Sequence, residues 1–211
     1  MNKEVLQAVA RYSEEIMGSE GFQYVSAVVA NCKMLALELE AEADEDHPVT
    51  LDMDILVIAA YLHDISTVTH GFQDHQVKSA EMAVEFLNEL DLSDEQIKKV
   101  EQTLLSHTVP LSESERGVLS EGQVLYDADK LGRLSGLAVV TSLVEFGARY
   151  PDRVVNGEVL AAILRHIEER FIELYQSLNT GPAREMARDK FNRTVTFLDG
   201  VIEHLSDATP V

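Results

Sequence analysis

Residues 56–65, LVIAAYLHDI, form an apolar run that stops on two adjacent polar side chains, His63 and Asp64. An imidazole and a carboxylate buried side by side each cost on the order of 2–7 kcal/mol unless something pairs with them. One divalent cation satisfies both. A mixed nitrogen and oxygen donor set suits Fe, Mn, Co, Ni or Zn, whereas a pure oxygen set would point to Mg or Ca. Taken alone, the dipeptide also fits a core histidine beside a helix-terminal aspartate. Three more residues of the same chemistry, His75, His107 and Asp129, stand near helix ends or on apolar stripes elsewhere in the chain. Cations that can meet an anion are Lys78, three residues after His75, Lys130, directly after Asp129, and the basic run of Arg184, Arg188 and Lys190. Each of these cations, singly, fits a solvated helix face better.

The elements that must carry these groups read as helices throughout. Residues 3–17 have a one-sided apolar pattern broken by Gly18-Ser19-Glu20-Gly21. The next segment places Val25, Val28, Val29, Cys32, Leu35, Ala36 and Leu39 at helical spacing, the most regular period in the chain. An acidic run, residues 40–48 with His47, reads as a solvated loop. Residues 51–62 are apolar on nearly every side, as a central helix is, and would deliver His63 and Asp64 at its C-terminal end. After a polar loop over 66–74, Asp74 is a candidate N-cap for a helix over 75–90 with Ala80, Ala83, Val84, Leu87 and Leu90 inward. Ser93-Asp94-Glu95-Gln96 is a capping box, and the helix it opens carries Ile97, Val100, Leu104 and then His107 on one stripe. A polar loop bounded by Pro110 and Gly117 precedes helical spacing over 124–134, which holds Asp127, Asp129 and Lys130. Helices over 135–146, 159–178 (capped by Asn156) and 183–205 follow, with turns at 147–157 and 179–182 and a frayed end at 207–211. No segment alternates with period two. The expectation is an all-α, single-domain helical bundle over 1–211, its core motifs in 56–134 and its C-terminal helices in 157–205.

Composition narrows the partners. The chain has 211 residues, 37 acidic and 17 basic, for a formal net charge of −20, so nucleic acid and anionic membranes are repelled over most of the surface. A phosphate group must then find a local cluster of positive charge or a metal. The single Cys32 cannot form an internal disulfide, and it fits a core position in a reducing compartment. No stretch approaches the ~18 continuous apolar residues of a membrane span, and the first residues lack a signal peptide's hydrophobic region. A cytoplasmic protein is the expectation, and a homodimer is left open.

Four helical segments thus offer His63, Asp64, His75, His107 and Asp129, which is how helical bundles assemble metal sites. The stretches AAYLHDIS, DHQVKSAEMAVEFL, LLSHT and VLYDADKLGRL, with the later PAREMARDKFNRTVTFL, together resemble the HD-domain metal-dependent phosphohydrolase superfamily, in particular its small stand-alone members. The resemblance implies that His63, Asp64 and Asp129 are metal ligands. It implies that His75 and His107 bind a second metal or the substrate phosphate. Three departures stand out: Tyr24 occupies the position of the family's first histidine, HDIS replaces the more usual HDIG, and Gly132 stands where an aspartate is common.

By the same resemblance, the reaction is hydrolysis of a phosphomonoester, nucleotide or pyrophosphate by a metal-activated water. Asp64 would orient or deprotonate the water, and His75 and His107 would neutralise developing charge or protonate the leaving oxygen. Lys78, Lys130, Arg184, Arg188 and Lys190 would meet phosphate. The cofactor is a divalent Fe, Mn, Ni, Co or Zn ion, and the partner a small phosphorylated substrate. The alternative is an HD-type domain without catalysis, serving as a ligand-sensing or protein-interaction module. His70, His166 and His204 fall outside the motif pattern and read as surface or loop residues.

Overall fold

The computed structural model describes residues 3–43, 49–109 and 119–207. His47, the loop bounded by Pro110 and Gly117, and the last four residues lie outside the described residues. Among the described residues the secondary structure is helical, with no strand. The chain divides into two compact units, residues 1–129 and 130–211.

The first unit opens with α1, Lys3–Glu42, which breaks at Gly18, where φ is 69°. That left-handed backbone suits a residue without a Cβ, so the expected helix break falls on the glycine that permits it. Beyond the break, Val25, Val28, Val29, Cys32, Leu35, Ala36 and Leu39 are all buried, as their spacing predicts. Burial pushes the Cys32 thiol well above its ordinary pKa, which keeps it protonated and unreactive. Helix α2, Met53–Leu62, packs against α1 and buries seven of its ten residues. Its start is held by Asp52, whose carboxylate accepts from the Asp54 and Ile55 amides at 3.1 and 3.2 Å. Ser13 Oγ–H donates to the Tyr61 carbonyl at 2.8 Å and ties α1 to the end of α2.

The loop after α2 contains a short helix, α3, Thr67–His70, where a plain loop is expected. Helix α4, His75–Leu87, begins where predicted, but Asp74 does not cap it. Its backbone is left-handed, φ 54° and ψ 26°, and its side chain makes no cap bond. That conformation carries the carboxylate away from the first amides of the helix. The helix also ends at Leu87, short of the expected 90, in a turn over 88–92. Helix α5, Asp94–Ser106, starts on the predicted capping box: Ser93 Oγ accepts from the Gln96 amide at 3.3 Å, and Gln96 Oε1 accepts from the Ser93 amide at 3.0 Å. Ile97, Val100 and Leu104 are buried, and α5 packs on α2 and α4.

Helix α6, Glu121–Arg133, presses close on α5: a Cβ placed on Gly122 would fall onto Ser106 Oγ. Asn31 Nδ2–H donates to the Ala128 carbonyl at 3.0 Å, joining α1 to α6. Glu121 Oε1 accepts from the Asp52 amide at 2.7 Å, so α2 and α6 are pinned at their starts.

The second unit holds α7, Gly136–Arg149, α8, Gly157–Gln176, and α9, Gly181–Asp207. Helix α7 runs through Gly147, beyond the expected boundary. Val139, Leu164 and Leu198 are buried together, flanked by Leu143, Ile167 and Val201. Asn156 caps α8 as predicted, accepting from the Val159 amide at 2.9 Å. Among the described residues no single helix is long and apolar enough to cross a membrane.

Two caps predicted from sequence therefore each hold a helix start. Ser93→Ala and Asn156→Ala are expected to cost about 1 kcal/mol apiece. Each lowers the thermal midpoint by about 2–4 °C, read by calorimetry.

Candidate metal centre

Because α2 is apolar on all sides, the residues that end it stay inside the protein. His63 is the C-cap of α2 and Asp64 follows it, both buried. His107 occupies the equivalent C-cap position of α5, also buried, because the Ile97–Val100–Leu104 stripe continues through it. His75 opens α4 and keeps 19% of its side chain exposed. Asp129 projects from α6 and is buried. All five residues lie in the first unit.

The three imidazoles share one device. Nδ1 of His63 lies 2.8 Å from the Ala60 carbonyl, Nδ1 of His75 2.9 Å from that of Phe72, and Nδ1 of His107 2.5 Å from that of Leu104. A carbonyl oxygen only accepts, so each Nδ1 carries the proton and donates it. In the neutral ring each Nε2 then presents a lone pair, the tautomer a metal-binding histidine requires.

These lone pairs converge on carboxylates. His63 Nε2 is 3.5 Å from Asp64 Oδ2 and 3.9 Å from Asp129 Oδ1, and His75 Nε2 is 3.5 Å from Asp64 Oδ1. The His107 ring stands edge-on to both other rings, at centroid distances of 5.4 Å from His63 and 5.6 Å from His75. Two overlapping groups result: His63, Asp64 and Asp129, and Asp64, His75 and His107. Within each group the donor atoms lie within 4.8 Å of one another. Asp64 belongs to both and turns one oxygen toward each.

Whether these residues fit a cation is decided by His63. Its Nε2 is buried with no hydrogen-bond partner among the described residues. A lone pair aimed at two carboxylates is repelled by both unless positive charge lies between them, so the donor set fits a divalent ion. His107 points the same way: burial first, and the neighbouring His63 second, lower its pKa to about 4, which keeps it neutral and ready to ligate.

Tyr24, at the position of the family's first histidine, is half-buried, and its hydroxyl donates to Asp129 Oδ1. The phenol therefore joins the cluster through the Asp129 carboxylate. The departure at Ser66 has a structural role. The Ser66 amide donates to Ser79 Oγ at 3.2 Å, Ser79 Oγ–H to Ser66 Oγ at 3.0 Å, and Ser66 Oγ–H to the His75 carbonyl at 3.0 Å. This chain of bonds fastens the loop after Asp64 to the start of α4, and hence sets where His75 stands. Ser79 escaped sequence reasoning because a serine inside an apolar stripe carries no distinguishing signal. The anchoring carbonyls escaped it because every residue has one.

Of the expected phosphate-binding residues, Lys78 is half-buried on α4, one turn beyond His75. Lys130, Arg184, Arg188 and Lys190 belong to the second unit. There Arg184 donates to the Leu178 carbonyl and Arg188 pairs with Glu185. Lys190 lines a shallow hollow with Ser135, Arg193 and Phe197.

The family model of the HD domain matches residues 4–134, more than half of the chain, and the chain belongs to that family. No curated protein matches it. Solved structures share the fold. A Listeria innocua protein is 18% identical with a TM-score of 0.67, covering 99% of this chain and 100% of its own. Bacillus subtilis YpgQ in complex with ADP is 17% identical with a TM-score of 0.67, covering 94% of this chain and 93% of its own. A predicted HD superfamily hydrolase from an uncultured Thermotogales bacterium is 20% identical with a TM-score of 0.53, covering 96% and 91%.

The lowered pKa of His107 has a measurable consequence. Unfolded, the ring takes its proton near pH 6.5; folded, only near pH 4. The unfolded chain thus binds more protons in that window, so stability of the metal-free protein is full above about pH 6.5 and falls as pH drops toward 4. The loss from this residue is on the order of 3 kcal/mol. Denaturant unfolding across this window is expected to show that slope, and His107→Gln to flatten it.

Proposed function

We propose that this chain is a metal-dependent phosphohydrolase acting on a small phosphorylated substrate, with a nucleotide as the preferred class. The observation that carries the reading is the buried Nε2 lone pair of His63, held toward the Asp64 and Asp129 carboxylates by the bond from Nδ1 to Ala60. Membership of the HD family supports the reaction class, and the ADP complex of the related Bacillus subtilis protein supports the substrate class.

His63, Asp64 and Asp129 would hold one ion, and Asp64, His75 and His107 a second. An ion of the Fe, Mn, Co, Ni or Zn type supplies acidification of water near neutral pH and polarisation of a phosphoryl oxygen. The chain's own residues do the rest. Asp64 has an oxygen on each side of the cluster, where it can orient the attacking water by accepting a hydrogen bond from it. His75, with part of its ring exposed, leaves the cluster an approach from solvent. His107, neutral and enclosed, serves as ligand rather than acid. Lys78 meets the phosphate from the same helix as His75.

The Tyr24 bond to Asp129 favours a second reading, an HD-type domain that senses a ligand or binds a protein without catalysis. Metal separates the two. The enzyme gains thermal stability when offered these ions, by mass action on the native state, whereas the module stays metal-free with an unchanged melting temperature. In a screen of phosphorylated metabolites with each metal, wild type is expected to release phosphate. His63→Ala and Asp64→Asn are expected to lose about a hundredfold or more of that rate. Equal release by wild type and both variants would sink the assignment.

A further inference from the structure

The two ligand groups are not equivalent in this chain, and the difference lies in Tyr24. Asp129 Oδ1 is the oxygen that faces His63 Nε2 at 3.9 Å, and it is also the oxygen that accepts the Tyr24 hydroxyl. An ion entering between His63 and Asp129 meets an oxygen whose charge is already shared with that phenol. The protein offers it one imidazole and two carboxylates, one of which is engaged in this way. The second group offers two imidazoles and one carboxylate oxygen. Both rings are oriented in advance by bonds from Nδ1 to Phe72 and Leu104, and His75 leaves an approach from solvent. Borderline divalent ions favour imidazole, and two histidines with one carboxylate leave open positions for water and substrate. Donors already held in place bind tightly, and a carboxylate oxygen that also accepts a phenol proton offers an ion less charge.

Resting on the metal-dependent reading above, we infer that Asp64, His75 and His107 hold the first ion, and that Tyr24 makes the His63, Asp64 and Asp129 group the weaker, second site. Asp64 serves both, its Oδ1 on the His75 side and its Oδ2 on the His63 side. The tyrosine thereby reverses the order expected if the first histidine of the motif were present. It also makes the second ion the one whose occupancy responds to concentration.

The test is titration of the full-length, metal-free chain with Co(II), followed by calorimetry and by the visible absorption of the bound ion. Wild type is expected to show one tight binding event and a second at least tenfold weaker. His75→Gln and His107→Gln should weaken the tight event tenfold or more, the scale on which metal sites respond to lost support. Asp129→Asn should change it less than threefold. Tyr24→Phe, which removes the donor and keeps the ring, should strengthen the weak event without altering the tight one. Because His107 is enclosed, the partly exposed His75 carries the decision if circular dichroism shows His107→Gln unfolded. Loss of the tight event in Asp129→Asn with retention in His75→Gln would overturn the order, as would two equal events in wild type. That result leaves the phosphohydrolase reading standing. Binding in the stated order without phosphate release would remove the enzymatic reading and leave this one. Absence of any Co(II) binding would end both.

Discussion

Three imidazoles and two carboxylates gathered in a largely dry space are tolerated only if their charges and lone pairs are arranged in advance. The chain arranges them with backbone carbonyls. Each histidine gives its Nδ1 proton to the residue three positions earlier, Ala60, Phe72 or Leu104. Two of the histidines sit at helix C-terminal caps, where carbonyls of the last turn lack amide partners and accept from a side chain instead. The same bond thus completes a helix end and fixes a ring's tautomer. From this it follows that helix lengths are part of the site: α2 must stop at Leu62 and α5 at Ser106 for the rings to turn back as they do.

The surrounding packing serves that arrangement. Helix α2 is buried on nearly all sides because α1, α4 and α5 contact it, and it carries two of the five residues at its end. The α5–α6 approach at Gly122 admits no side chain. Ser66 and Ser79 fasten the loop between Asp64 and His75, so a departure from the usual motif becomes a strut in place of flexible backbone. Tyr24 is a departure of another kind, since its hydroxyl reaches Asp129 within the cluster itself.

Much of this was legible in the sequence, and the reason is periodicity. The stripe from Val25 to Leu39, the apolar run before His63 and the Ser93 capping box are local patterns whose physics acts over a few residues. The motif stretches already associate His63, Asp64, His75, His107 and Asp129 along the chain. The errors fell where backbone conformation, not side-chain type, decides. Asp74 has the right chemistry for a cap but a left-handed backbone that aims it elsewhere, and α4 stops a turn early because residues 88–92 close into turns. The hydroxyl of Tyr24 reaching Asp129 spans 105 positions, a separation at which spacing carries no signal.

The bond from the Asp52 amide to Glu121 joins the starts of α2 and α6, the helices that end in His63–Asp64 and carry Asp129. With a common origin, the two rods deliver His63, Asp64 and Asp129 by counting residues along each axis. A single inserted residue within either would advance everything beyond it by ~1.5 Å and swing it through roughly 100°. Point substitutions around the cluster leave that count intact, whereas length polymorphism between 53 and 62 or between 121 and 128 does not. The cluster therefore accepts exchange of side chains within these two segments but not a change in their length.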